Sequence, residues 1–256
     1  MCMGKMTTRL MVILMFGILL VLSACGEKSQ ESVVKNLEKK LAGMDGYKIK
    51  AEMKMNTGQE EQVYNVDVWY KKDNHYRVAL DNEKDQEGQI ILKNEDGVFV
   101  LTPALKKSFK FQTDWPENSS QPYLYQSLVN DVLKDTDAEL KSDESNYVFL
   151  TKTNYQGNNH LPFQEIHFDK KTYLPTLVKV MDKEQNVLIE VTFTDPDINP
   201  SFAKGDFNRD DILEDALASL PVSGAEEESK VLSVMYPLST QGSELMEKKE
   251  VPLDDG

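Results

Sequence analysis

From Ser29 to Met44 the apolar positions Val33, Val34, Leu37, Leu41 and Met44 recur at intervals of three and four, with charged residues between them. That spacing predicts an amphipathic helix lying on a core, with Ser29 as its N-cap, Gln30 and Glu31 in its first turn, and Gly43 and Gly46 marking its end. At Tyr47 the period changes to two. Tyr47, Ile49, Ala51, Met53 and Met55 alternate with Lys48, Lys50, Glu52, Lys54 and Asn56, the pattern of a strand with one buried and one wet face.

Short runs of the same kind follow at Val63 to Tyr70, His75 to Leu80, Gln89 to Lys93, Val98 to Thr102, Ser108 to Gln112, Tyr147 to Thr153, Gln164 to Asp169, Thr176 to Met181 and Val187 to Thr194. Turn residues separate most of them, as in Lys72-Asp73-Asn74, Asn94-Glu95-Asp96-Gly97 and Asp182 to Asn186, so an antiparallel meander is expected. A second helix is predicted over Gln121 to Lys134, where Leu124, Leu128 and Val132 fall four apart. With so few helices a parallel βαβ sheet is disfavoured. The reading is an α+β fold: a large, strongly curved antiparallel half-barrel over residues 29–208, its concave face covered by the helices. Alternation fits a filled core and a ligand cavity equally, because both need inward apolar side chains. Met53, Met55, Trp69, Tyr76, Phe99 and Leu101 lie mid-strand, and they are the side chains expected to line a pocket if the interior is open.

After Asn208 the texture shifts. Arg209 to Leu220 could form a short helix, within a stretch read as a linker over residues 209–230. Val231 to Tyr236 is strand-like, and because the 48 residues 209–256 are few for a self-supporting unit without metal or disulfide, residues 231–256 read as the start of a truncated second small domain.

The other end of the chain carries a different signal. Lys5 and Arg9 precede an unbroken apolar run from Leu10 to Leu22, too short for a mature span of a roughly 30 Å hydrocarbon layer. It ends in Leu22-Ser23-Ala24-Cys25, which looks like the lipobox of a lipoprotein signal peptide; an ordinary secretory signal with a coincidental cysteine is the alternative. On the first reading residues 1–24 are removed, Cys25 carries a diacylglycerol, and residues 25–28 tether the domain to the extracytoplasmic face of the membrane. Removing 24 of 256 residues leaves 232, and losing Lys5 and Arg9 takes the formal charge from −14 to −16. Cys2 leaves with the signal, so no internal disulfide can form.

The charge itself excludes one class of partner. Forty-three acidic against 29 basic side chains repel polyphosphate, so nucleic acid is not expected to bind. Catalytic patterns are missing as well: His75, His160 and His167 lie in three different predicted strands or turns without paired-cysteine or HExxH spacing, and there is no GxSxG, P-loop or GxGxxG. No enzyme activity, cofactor or metal is expected. Asp195-Pro196-Asp197 reads as a turn, and Asn118-Ser119-Ser120 as a polar loop.

Several stretches carry a resemblance: Asp96-Gly97-Val98-Phe99-Val100-Leu101-Thr102-Pro103-Ala104-Leu105, Ser108-Phe109-Lys110-Phe111, Asp114-Trp115-Pro116 and Asn199-Pro200-Ser201-Phe202. With the lipobox before them, they resemble the LolA-like lipoproteins of spore-forming Gram-positive bacteria. The resemblance implies an open half-barrel of the LolA, LolB and RseB kind and a smaller second domain. It further implies a non-catalytic role in sporulation, cortex processing or germination through a protein partner. The alternative is a carrier or sensor holding a lipid or acyl chain in the half-barrel.

Overall fold

The computed structural model describes residues 28–56, 60–82, 87–105, 107–117, 119–155, 160–219 and 244–250. The signal segment, Cys25 and the strand expected at Val231 to Tyr236 lie outside them.

Helix α1 (Gln30–Ala42) is capped as the sequence predicts, with Ser29 Oγ accepting from Ser32 N at 3.3 Å. Six strands follow: β1 (Gly46–Met55), β2 (Gln62–Lys71), β3 (His75–Asn82), β4 (Glu87–Asn94), β5 (Gly97–Thr102) and β6 (Lys107–Gln112). After α2 (Tyr125–Lys134) come β7 (Glu139–Ser142), β8 (Asn146–Lys152), β9 (Phe163–Asp169), β10 (Pro175–Met181) and β11 (Val187–Ile198). Helix α3 (Arg209–Ser219) and β12 (Glu244–Glu250) complete the described chain.

All twelve strands form one open, curved antiparallel sheet in the order β12-β6-β5-β4-β3-β2-β1-β11-β10-β9-β8-β7. Two meanders are joined where β1 pairs with β11, and the described edges, β7 and β12, do not meet. The chain passes from β6 near one edge to β7 at the other, and α2 lies on this crossing.

Register sorts side chains onto two faces. The pairs Tyr47 with Tyr70, Ile49 with Val68 and Ala51 with Val66 put the odd residues of β1 and the even residues of β2 on the inner face, under α1 and α2. That face holds the main core, with Val33, Leu37, Val78, Leu124, Leu128, Phe149, Ile166, Phe168 and Val191 at most 1 % exposed. Gly46 opens β1 where a Cβ would stand 2.6 Å from Tyr70 O and 2.8 Å from the Phe202 ring, a closeness that no other residue tolerates without backbone movement.

The outer face is covered only in part. Ile90, Leu92, Phe99 and Leu101 form a second core there with Phe207, Ile212 and Leu213, and Trp69, Ala79 and Phe202 pack at its margin. This bears on the boundary expected at Asn208. Residues 209–219 are a helix docked on the sheet through two fully buried side chains, not a free linker. Residues 244–250 pair with β6 as an edge strand of that same sheet instead of standing in a separate unit.

Two smaller readings also change. Asp195-Pro196-Asp197 lies inside β11 opposite a register shift between Lys48 and Lys50, so it forms a bulge and not a turn between strands. Ser119 and Ser120, read as a polar loop, are 3 % and 1 % exposed.

Candidate functional site

The six side chains expected to line one pocket do not meet. Met53 and Tyr76 are buried in the inner core and Met55 packs against it, whereas Trp69, Phe99 and Leu101 belong to the outer core. Parity is the reason: Tyr76 pairs with Tyr70, an inner-face neighbour of Tyr47, and Trp69 is one residue out of that phase. With Met53, Tyr76, Phe99 and Leu101 at most 3 % exposed, these residues are occupied in packing, and together they shape no acyl cavity.

The large opening is instead on the outer face, beside the margin of the second core. Lys50 and Glu52 of β1, Asn65 and Asp67 of β2, Asp81 of β3 and Thr192 of β11 line a groove of about 620 Å³. Ala79, with only a methyl group, helps to form it. Each of the six polar residues is the polar member of an alternating strand whose other members build the inner core. The groove is therefore a direct product of period-two patterning over four adjacent strands.

Its side chains are held in place. Lys54 Nζ lies 2.9 Å from Glu52, and the Trp69 indole N–H donates to Asp67 Oδ1 at 2.9 Å. Trp69 is sandwiched between Lys48, whose Nζ is 3.6 Å from the ring centre, and the Arg77 guanidinium at 4.6 Å, an arrangement that keeps a half-buried aromatic rigid. Burial pulls Arg77 below its ordinary pKa, against the attraction of Asp67, Asp206 and Asp215. Three carboxylates against one lysine leave the groove acidic.

Farther along the same face, Glu165 Oε1 meets His167 Nε2 at 2.8 Å and Lys179 Nζ at 3.3 Å. Burial pushes the Glu165 carboxyl up, but these two contacts outweigh it and hold the pKa below its ordinary value. Among the described residues no group of three or more His, Cys, Asp or Glu is placed to hold a metal ion.

The inner face also has polar content that the sequence did not disclose. Tyr47 OH donates to Gln126 Oε1 at 2.7 Å, and the Gln121 and Asn154 amides donate to Ser127 Oγ and Ser120 Oγ at 2.7 and 2.6 Å. Asp131 of α2, 6 % exposed, accepts from Gln164 Nε2 at 2.7 Å. Burial raises the Asp131 pKa, opposed by its hydrogen bonds with Gln164 and Ser120 and by the charge of Lys134.

A carboxyl whose folded pKa is raised destabilises the folded state above that pKa and costs nothing below the unfolded value, near 3.9. Asp131→Asn keeps an acceptor for Gln164 and removes the charge. Its denaturation midpoint should therefore exceed that of the parent at pH 7, and the gain should vanish as the pH falls into the ordinary carboxylate range. A gain independent of pH would rule out ionisation as its cause.

Comparison with known proteins gives a consistent assignment. Residues 5–207 match the family model described as "Sporulation protein YdcC-like". The Sporulation protein YdcC of Bacillus subtilis (strain 168) is 46 % identical over 255 residues, covering 98 % of this chain and 75 % of that relative. Among solved structures, a putative outer membrane lipoprotein-sorting protein domain from Vibrio parahaemolyticus is similar at 14 % identity and a TM-score of 0.42, covering 72 % of this chain and 97 % of that one. A chain of the complex of the CwlD amidase from Clostridioides difficile with the GerS lipoprotein is similar at 20 % identity and a TM-score of 0.39, covering 70 % and 98 %.

Proposed function

The chain belongs to the YdcC-like family of sporulation proteins, and from that membership we propose that it is a non-catalytic, lipid-anchored protein that binds a protein partner during spore formation. The docking surface is the acidic groove on the outer face of the sheet. One observation carries this reading: helices α1 and α2 cover the inner face, while the outer face is left open over β11, β1, β2 and β3 with a groove too large for a packing defect. Glu52, Asp67 and Asp81 select a segment bearing Lys or Arg, and such complementarity governs encounter rate and register more than raw affinity.

Anchoring rests on Cys25. No helix among the described residues is long and apolar enough to cross a membrane. Two acyl chains on Cys25 would supply about 0.8 kcal/mol per buried CH₂ and hold the sheet at the extracytoplasmic surface of the cell or forespore membrane.

The test is made in sporulating cells with the full chain. A photo-crosslinking residue at Thr192 should capture a discrete partner, and combining it with Glu52→Lys and Asp81→Lys should abolish the product without lowering the amount of protein. No product, or a product indifferent to the charge reversal, would remove the groove from the proposal. In parallel, Cys25→Ala should leave the chain unprocessed or released. A correctly cleaved variant retained on membranes would point to a second attachment.

A further inference from the structure

The sheet ends at β7, whose far side pairs with no strand among the described residues. The bond from Asp143 N to Asn146 O at 3.1 Å closes the β7–β8 hairpin, and from there bonded and unbonded residue pairs alternate along the antiparallel ladder. Lys141 with Val148 and Glu139 with Leu150 are therefore the bonded pairs, while Leu140 and Ser142 turn their N–H and C=O outward. The next ladder agrees: Thr153 N bonds Pro162 O at 3.0 Å, which sets the odd residues of β8 toward β9 and the even ones toward β7. Ala138, just before the strand, is already served, its N–H donating to Asp135 O at 3.1 Å and its C=O accepting from Gln30 Nε2 at 2.8 Å. Side chains alternate as well. Leu140 packs against the inner core from a half-buried position, whereas Glu139 and Lys141 are exposed on the outer face.

We propose that this edge takes the β7 strand of a second copy of the chain, antiparallel and about a two-fold axis at Leu140. Main-chain bonding demands that outward-facing residues meet, so Leu140 stands opposite Ala138, Leu140 or Ser142 of the other copy. The first register sets Glu139 against Glu139 and the third sets Lys141 against Lys141, and like charges directly opposite repel. The middle register alone places Glu139 against Lys141 on both sides of the axis, and it brings the two Leu140 side chains together on the inner face. In it the Leu140 N–H of each copy donates to the Leu140 C=O of the other, and Ser142 N–H meets the second lone pair of Ala138 C=O. A contact in which both copies offer the same surface closes as a dimer and goes no further. A lone edge lysine ordinarily discourages strand addition, but with Glu139 two residues before it Lys141 complements its own strand reversed. The formal charge of −14 opposes association only weakly, since exposed charges farther apart than about 8 Å are screened at physiological salt. A four-residue strand buries far less than the roughly 1,200–2,000 Å² of a stable interface, so the dimer is weak.

This edge shares no residue with the outer groove, so the dimer and the partner-docking reading fail separately. The full chain carries cysteine only at positions 2 and 25, and replacing both with serine leaves introduced thiols as the only ones. Two preparations, one with Glu139→Cys and one with Lys141→Cys, are oxidised mildly, each alone and mixed. In the proposed register the two thiols of the mixture stand directly opposite in an unbonded pair, with Cα atoms about 4.5 Å apart, within reach of a disulfide. Like positions are diagonal neighbours at about 7–8 Å, outside the usual span of a bridge. The mixture should therefore yield about tenfold more linked dimer than either preparation alone. No linked product, or like positions linking as readily as mixed ones, would overturn the proposal. Sedimentation equilibrium of the chain without introduced cysteines should give a dissociation constant on the order of 0.1 mM. Glu139→Lys or Lys141→Glu should each weaken it by about tenfold or more, because each turns both cross-strand pairs into like charges, and the two together should restore it. Both residues are exposed, so the variants should melt with the parent. Association indifferent to these reversals, or not restored by the double variant, would also overturn the self-pairing.

Discussion

Replacing Phe168 with alanine should destabilise the protein by about 3–5 kcal/mol. The ring is fully buried on the inner face of β9 and stands edge-on to Tyr125 at 6.2 Å and to Phe149 at 6.1 Å. Its loss removes apolar burial and two aromatic contacts, and it leaves a void that the flanking strands, fixed on both sides by ladder hydrogen bonds, cannot close. Domains are stable by about 5–15 kcal/mol in total, so this one change should consume a fifth or more of the margin and lower the urea midpoint accordingly. Leu177→Ala, on the neighbouring strand β10 where Leu177 pairs with His167 on the half-buried outer face, should cost well under half as much. The pair also decides between the two interiors that strand alternation left open. In a packed interior the cost of Phe168→Ala is at the large end; if the half-barrel held a mobile ligand or solvent, the ring would already be partly solvated and its loss would cost about 1 kcal/mol or less.

Strand existence and pairing order were legible in the sequence because most inner-face residues are apolar and most of their strand neighbours are not. Tyr47 to Met55 is the clearest case, and with turns at Lys72 to Asn74 and at Asn94 to Gly97 the meander follows. The strands that escaped notice lack that contrast. β7 has only Leu140 as an apolar residue, and at the sheet edge it needs only one buried side. Assigning pocket residues failed at a different level. Mid-strand position says nothing about face, and phase between strands is fixed only by pairing, so Trp69 and Phe99 could not be separated from Met53 and Tyr76. One clue was present: Ile90-Ile91-Leu92 and Val98 to Leu101 are continuous apolar runs, the mark of strands covered on both sides. The polar groove follows from the same alternation once register is known. The burial of Ser120 could not be foreseen, because its partner Asn154 follows β8, 34 residues along the chain.

Those two-sided strands lead to the second large effect, at Leu213. Ile212 and Leu213 are each 1 % exposed against Phe207 and the outer side chains of β4 and β5, so α3 functions as the lid of the outer core. Leu213→Asp loses roughly 1.5–3 kcal/mol of apolar burial and must bury a carboxyl among apolar side chains, or else undock the helix. A destabilisation of about 3 kcal/mol or more is expected at pH 7. Burial raises the pKa of the new carboxyl, and a raised folded pKa lowers stability only where the group is ionised. The defect should therefore shrink as the pH falls toward the ordinary carboxylate range. The two tryptophans report on separate cores, Trp69 at the margin of the outer one and Trp115 buried in the inner one. Undocking of α3 alone should alter the Trp69 emission while Trp115, read in a Trp69→Phe background, keeps its native spectrum; global unfolding should shift both. If Leu213→Asp leaves stability and both emissions unchanged, residues 209–219 act as the linker their sequence suggests, and the outer core must be closed by something other than α3.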